Sequence, residues 1–475
     1  MAILAIDQGT SGTKAVVVDD DGIVSVSERG LRPRYLDGGA VEQDPQELLT
    51  SILESGREAV QHSGRRLRGV ALANQGETVL AWEPNTGTPL TSAISWQDRR
   101  AETICADLAH HGENIHDRTA LRLDPYFSAP KMAWIRRNLT EKGVVTTTDT
   151  WLVHQLTGEF VTDTSTASRS LLLNIDDVSW DSHLLEVFGL SEERLPRLVA
   201  SDEIVGTTTV FGEEVPVAGL IVDQQAALLA EGCLERGSAK CTYGTGAFFL
   251  VNMGTTAPRL SNGLTTSVAW TLRGRTTYCA DGQVYTAASA IRWLSDLGII
   301  GSAADIDTTA AEDSGGVLCA PSLAGLAAPW WRSDVGAFLT GLRLSTGRPE
   351  IVRAVIEGIS AQIAELADLA VDGLGEALVR LRVDGGLTRS RTLMQSQADL
   401  LQTPIEVYGS EHATALGAAT VARLALDPEL SLTEAFVPWT PSRTFEPAWS
   451  DAEARNFRQQ WRAAVETYLT RMDHA

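Results

Sequence analysis

One arrangement constrains this chain more than any other: a short apolar strand that enters a loop of glycines and hydroxyls and leaves it directly as a second strand. It occurs twice. In the first copy Ala2 to Ile6 reads as a buried strand, followed by Asp7-Gln-Gly-Thr-Ser-Gly-Thr-Lys14. A carboxylate at the strand end, then Gly9 and Gly12 among the hydroxyls of Thr10, Ser11 and Thr13, offers backbone N–H groups that can close around an anion, and Lys14 adds charge. The chain resumes as strands at Ala15 to Val18 and Ile23 to Val26 around an acidic turn at Asp19 to Gly22. The loop is therefore a hairpin turn rather than a helix start, which excludes an ordinary P-loop. In the second copy Lys240 to Tyr243 enters Gly244, Thr245 and Gly246, and Ala247 to Val251 follows at once.

Each half also carries a later strand with a polar end. Gly69 to Ala73 leads into Asn74, Gln75, Gly76 and Glu77, while Leu381 to Val383 leads into Asp384, Gly385 and Gly386 and then a helix-patterned stretch to Leu401. The duplication predicts two α/β domains of related topology, residues 1–225 and 226–475, facing one another across a cleft lined by loops from both. A length of 475 residues suits two or three domains with a large core.

Helices are legible from period and punctuation. Ile351 to Leu369 repeats apolar residues on one face, with Pro349 near its start and Gly373 beyond its end. Ser450 and Glu453 form a capping-box pattern ahead of Phe457, Trp461, Val465 and Tyr468, which share a helical face expected to pack on the second domain. Asp305 to Gly316 reads as a long surface loop.

Charge and cysteine usage exclude several classes. A formal charge of −22 repels a polyphosphate backbone over most of the surface, so nucleic acid is a poor partner. Five cysteines, widely spaced and without a Cys-x-x-Cys pair, argue against a disulfide framework or a zinc site and read as reduced core thiols. No apolar run approaches membrane-spanning length, and the opening Met-Ala-Ile-Leu-Ala-Ile-Asp lacks a basic leader, so the expectation is a cytoplasmic protein without a membrane partner.

Two longer patterns carry a resemblance. The segment Tyr126-Phe-Ser-Ala-Pro-Lys131-Met-Ala-Trp134-Ile-Arg-Arg-Asn138, and the run from Ala337 through Gly341-Leu342 to Glu350, Ala354 and Glu357, resemble the two signatures of the FGGY carbohydrate kinase family, on its glycerol kinase-like branch. The resemblance spans almost the whole chain. It implies a pair of ribonuclease H-like, actin-like ATPase domains closing over Mg2+, ATP and a small polyol or sugar, in a protein that forms homo-oligomers.

Carried over residue by residue, the resemblance makes Asp223, in Gly219-Leu-Ile-Val-Asp-Gln-Gln225, the general base. The chemistry asks for such a group independently, because a primary alcohol is a poor nucleophile until a carboxylate accepts its proton during attack on a γ-phosphoryl group. Asp7 resembles the residue that holds Mg2+ through water. Thr10, Ser11, Gly12, Lys14, Gly244 and Thr245 would approach the phosphates, and Gly385 and Gly386 would pass the adenosine closely because no side chain intervenes. Ala288 and Arg292 stand where these kinases tend to carry glycine and glutamine, and Ser390 and Arg391 where they carry asparagines. ATP remains the default donor, with the base preference open. Arg292 reads equally well as a solvated helix face.

For the acceptor the resemblance points to Glu77, Trp96, Tyr126, Asp223, Gln224 and Phe248. Carboxylate and amide groups suit vicinal hydroxyls, and Trp96 and Phe248 suit C–H faces. Gly76 departs from the pattern, since glycerol kinases normally present Asn-Gln-Arg-Glu where this chain has Asn-Gln-Gly-Glu. The simplest consequence is an acceptor longer than glycerol, a tetritol or pentitol whose extra hydroxylated carbon fills the space. The alternatives are glycerol itself, with water or another basic residue substituting, or a ketose sugar. A non-catalytic actin-like scaffold or sensor is the reading from another class.

Overall fold

The structure, a computed structural model, describes residues 2–474. Its frame is two sheets with the same plan. The first uses β1 (Ala2–Gln8), β2 (Gly12–Asp19), β3 (Gly22–Gly30), β4 (Leu67–Asn74), β5 (Ile204–Thr208) and β6 (Val215–Val222), in the order β5-β6-β4-β1-β2-β3. The second uses β7 (Ala239–Tyr243), β8 (Ala247–Gly254), β9 (Thr265–Leu272), β10 (Arg275–Val284), β11 (Leu381–Asp384), β12 (Ile405–Val407) and β13 (Arg443–Phe445), in the order β9-β10-β8-β7-β11-β12-β13. In both, three central strands run parallel, β1, β4 and β6 in the first and β7, β11 and β12 in the second. Both glycine loops are antiparallel hairpins, as the sequence predicts, and Asp7 faces Lys14 across the first.

Side chains alternate across the first sheet. Leu4, Ile6, Val17 and Leu72 face the core beneath helix α1 (Pro45–Ser63), while Ile3, Ala5, Val16 and Ala71 face the opposite way. That second face is covered by α2 (Asp223–Ala230) and by the helix Ala413–Leu426; both lie between the two sheets, since Leu250, Trp270 and Cys279 of the second sheet belong to the same core. The line at Gln225 falls inside α2.

The outer face of the second sheet packs on α3 (Ala288–Asp296), α4 (Arg348–Leu374) and α5 (Arg391–Leu401). Helix α4 runs further than its periodicity indicates. Gly373 lies inside it, packed so closely that a Cβ there would come within 2.7 Å of Leu260, and the stop is Gly375, whose φ of 72° is the left-handed conformation of a helix C-cap. Helix α6 (Ala413–Leu426) returns to the first sheet and crosses α2 at Gly417, where a Cβ would lie 1.9 Å from the Ala226 carbonyl oxygen. Only glycine permits that approach.

Helix α7 (Asp451–Asp473) starts with the expected reciprocal cap: the Glu453 carboxylate accepts the Ser450 N–H at 2.7 Å. Its Trp461 is fully buried and donates its indole N–H to the Cys319 carbonyl at 2.7 Å. The segment expected as a surface loop instead holds a helical turn at Ile306–Thr309, because Asp307 accepts the backbone N–H groups of Arg391 and Thr392 and the Ser390 hydroxyl at the start of α5. All five cysteines are free thiols, four buried and Cys105 half-buried. Among the described residues no helix is long and apolar enough to cross a membrane.

Candidate active site

In open parallel sheets the carboxyl ends of the strands form the natural binding crevice. Here that edge of the first sheet carries Asp7 at the end of β1, Asn74 to Glu77 after β4, and Asp223 after β6. The facing edge of the second carries the Gly244–Gly246 turn after β7 and Gly385-Gly386 after β11. A cavity of about 540 Å3 lies between them. From the first domain it is lined by Thr10, Ser11, Glu77, Trp96 and Tyr126; Asp223 and Gln224 close its floor, and Thr245, Phe248 and Arg292 come from the second domain. The sequence therefore identifies residues more than two hundred positions apart that converge on one space. Asp7, Gly12, Lys14, Gly76, Gly244, Ala288, Gly385, Gly386 and Ser390 do not line it.

Asp223 opens α2, where its carboxylate accepts the Gln224 N–H at 2.6 Å. Burial pushes its pKa up to about 7, and the nearby Asp7 charge pushes the same way. Asp7 is raised to about 6, again chiefly by burial, with Lys14 opposing and Asp384 adding to the shift. The next residue, Gln224, also lines the cavity, and the buried Lys240 ammonium donates to its amide oxygen at 2.6 Å.

The first hairpin loop is tied to the acceptor side. The Trp96 indole donates to the Thr10 hydroxyl at 2.8 Å, and that hydroxyl donates to Gln75 at 3.0 Å. Trp96 in turn meets Tyr126 and Phe248 edge-on, with ring centroids 5.5 and 6.2 Å away, so the apolar wall is assembled from both domains. The Tyr126 loop is anchored by Lys131, whose buried ammonium donates to the carbonyls of Pro125, Tyr126 and Phe127. In the second loop the carbonyls of Gly244 and Thr245 accept the N–H groups of Ala288 and Ser289 at the start of α3. This seats the turn on the helix end and leaves Arg292, one turn along, exposed at the cavity wall.

Three expectations need correction in their physical reasons. The space beside Gly76 is narrower than an absent arginine would leave: a Cβ there would come within 2.9 Å of Val222 Cγ2, and the φ of 65° disfavours any side chain. Gly385 is glycine because of its own sheet, since a Cβ would lie 2.4 Å from the Tyr243 carbonyl oxygen and φ is 95°, whereas Gly386 has open space where its Cβ would be. Ser390 does not face the cleft; it caps α5, and its hydroxyl bonds Asp307 at 2.7 Å.

Two charged residues that line the cavity, Arg169 and Asp281, escaped the sequence reading. Arg169 follows the helix Thr164–Ser168, is 6% exposed, forms an ion pair with Glu77, and holds Asp281 of β10 at 3.0 Å. Its guanidinium also lies 5.6 Å from the ring centres of Tyr126 and Phe127. Burial raises the Glu77 carboxyl to about 7 while Arg169 pulls it back down. Glu77 itself sits at a φ of 44°, a strained conformation of the kind that clusters at functional sites. A carboxylate inside the otherwise apolar strand Tyr278-Cys-Ala-Asp281 was the available signal for Asp281; Arg169 belonged to no motif.

Both halves of the chain match known proteins. The model of the FGGY family of carbohydrate kinases, N-terminal domain, matches residues 2–230, and that of the C-terminal domain matches residues 239–426. A glycerol kinase of Bordetella parapertussis is 41% identical over 98% of this chain and 96% of its own length. Glycerol kinase 2 of Thermotoga maritima is 38% identical over 98% of each. Among solved structures, Plasmodium falciparum glycerol kinase with ADP superposes with a TM-score of 0.91 at 31% identity, covering 98% of both chains.

Proposed function

The chain belongs to the FGGY family of carbohydrate kinases, and from that premise we propose that this ATP-dependent kinase phosphorylates a primary hydroxyl of a small polyol in the cavity between its domains, with Asp223 as general base. The observation that carries this reading is the placement of Asp223 on the cavity floor with a pKa raised to about 7 by burial and by Asp7. A base poised near neutrality can take the hydroxyl proton as the oxygen attacks, and return it to solvent once the phosphoryl group has moved.

Glu77, Gln224 and Tyr126 offer the acceptor hydroxyls a carboxylate, an amide and a phenol, while Trp96 and Phe248 cover its C–H edges. Excluding water from this box keeps the γ-phosphoryl group for the polyol. Ser11 and Thr245 supply hydroxyls at the phosphate end, while the Thr10 hydroxyl is engaged by Trp96 and Gln75.

The residues present fit a magnesium ion. Asp384 Oδ1 is buried without a hydrogen-bond partner, and the Asp384 charge adds to the cost of ionising Asp7, which a divalent cation would relieve. Among the described residues no three carboxylate, histidine or cysteine side chains converge, so Asp7 would hold such an ion through water and phosphate oxygens. When bound, it would neutralise charge on the transferring phosphoryl group.

Glycerol is the first acceptor to test, because the relatives at about four-tenths identity are glycerol kinases and Arg169 gives the pocket a guanidinium beside Glu77. A tetritol or pentitol is the second reading, favoured by Gly76, which presents no side chain where the resemblance implies an arginine. A non-catalytic scaffold is not favoured by relatives of this kind. ATP consumption across a panel of glycerol, tetritols, pentitols and ketoses decides the acceptor; no consumption with any of them would overturn the reading.

A further inference from the structure

We propose that Arg169 and Asp281 form a relay across the domain seam that sets acceptor affinity: Arg169 positions the Glu77 carboxylate, and Asp281, on the second sheet, holds the Arg169 guanidinium where it does so. The inference rests on the acceptor reading given above.

The three charged groups come from three separate elements. Glu77 follows β4 of the first sheet, Arg169 follows the short helix Thr164–Ser168, and Asp281 lies on β10 of the second sheet. A buried guanidinium needs its charge compensated, and one carboxylate from each domain does so. Its planar fork suits two carboxylates at once, which an ammonium does not. The Asp281 end is itself held in place, since the Thr265 hydroxyl donates to the same Oδ1 at 2.8 Å. The Arg169 end stacks against Tyr126 and Phe127, so its freedom to turn elsewhere is small.

The arrangement explains how the pocket works without an arginine at position 76. A guanidinium reaches the same glutamate from another part of the chain, and it arrives tethered to the opposite domain. The segment before Arg169 is fixed to the second sheet as well, since the Ser168 hydroxyl accepts the Val268 N–H at 3.0 Å and the Thr164 hydroxyl donates to Thr271 at 2.9 Å. Arg169 and Asp281 act through Glu77 and are positioning residues.

Steady-state KM for the best polyol and for ATP, measured in the full-length protein and in Asp281→Asn and Arg169→Lys, tests the relay. Asp281→Asn keeps shape and removes the charge; Arg169→Lys keeps charge and removes the fork. The expected result is an acceptor KM raised about tenfold, with the ATP KM little changed, so that their ratio rises at least threefold in each variant. A ratio that rises less than threefold in either folded variant overturns the proposal, as does failure of both variants to fold, which would assign the pair to the fold alone. Failure of the acceptor reading has a separate signature, because the unmodified enzyme would then consume no ATP with any polyol.

Discussion

The two sheets share strand order and direction yet carry different chemistry at the same edge. In the first domain the strand ends present carboxylates, Asp7, Glu77 and Asp223, each pushed toward neutral pKa by burial. In the second the corresponding edge has one carboxylate, Asp384, and is otherwise formed by Gly244, Thr245, Gly385 and Gly386; Gly385 lies against the Tyr243 carbonyl, and the Gly244 and Thr245 carbonyls accept N–H groups at the start of α3. One frame thus supplies proton acceptors on one side and close backbone approach on the other. The division suits a reaction that needs a base for the acceptor and a smooth surface for the donor.

The comparison breaks most visibly at Asp223. Asp223→Asn should preserve folding and polyol binding while lowering turnover by roughly 10²–10⁴-fold, the range of a positioned general base; near-normal turnover would remove the first domain's claim to the chemistry. Asp7→Ala should come next, weakening magnesium-dependent turnover roughly 10–100-fold as an outer ligand would, with the magnesium concentration for half-maximal rate shifted upward. If that variant instead fails to fold, Asp7 is a turn residue.

The strand, loop, strand duplication could be read from residues 2–18 and 240–251 because glycine and threonine after an apolar strand constrain the backbone locally. Asp223, Trp96, Tyr126 and Phe248 were identifiable through family motifs that span many positions. Arg169 and Asp281 were not, since their meaning lies in a contact between residues 112 positions apart, and a lone arginine after a short helix has no local signature. The reason for Gly385 was hidden for the same cause: its neighbour, Tyr243, arrives by strand pairing.

Smaller effects sharpen the contrast. Gly76→Arg should lower kcat/KM roughly tenfold for glycerol and longer polyols alike, because a residue forced to a φ of 65° against Val222 costs about 1–3 kcal/mol. A gain with glycerol would show that the loop relaxes and that the lost arginine had been missed. In the second domain, Gly385→Ala should lose about 1–3 kcal/mol of stability in thermal or urea unfolding, whereas Gly386→Ala, with open space for a Cβ, should lose less than about 0.5 kcal/mol. Equal losses would mean that the two glycines are not distinguished by packing. The smallest effect concerns pH: protonation of Glu77 below about 7 removes a hydroxyl-accepting charge, so the acceptor KM should rise a few-fold as pH falls from 8 to 6, and Glu77→Gln should flatten that profile. The charges facing Glu77 are Arg169, Lys131 and Asp223, and titration of Asp223 would be seen in kcat as well.

The return of α6 to the first sheet has a consequence for how the protein is made. Ile3, Ala5 and Ala71 leave the ribosome early, but of the two helices that cover them the second, α6, spans Ala413–Leu426. At about 5–20 residues per second, that cover arrives roughly 20–80 s later. Until then the nascent first sheet presents an apolar face to the cell, and it must be shielded by a chaperone or remain loosely formed. The same Gly417 that lets α6 sit against Ala226 therefore closes the last seam of the molecule, and damage there would be felt first as poor yield in synthesis, before any change in the rate of a finished enzyme.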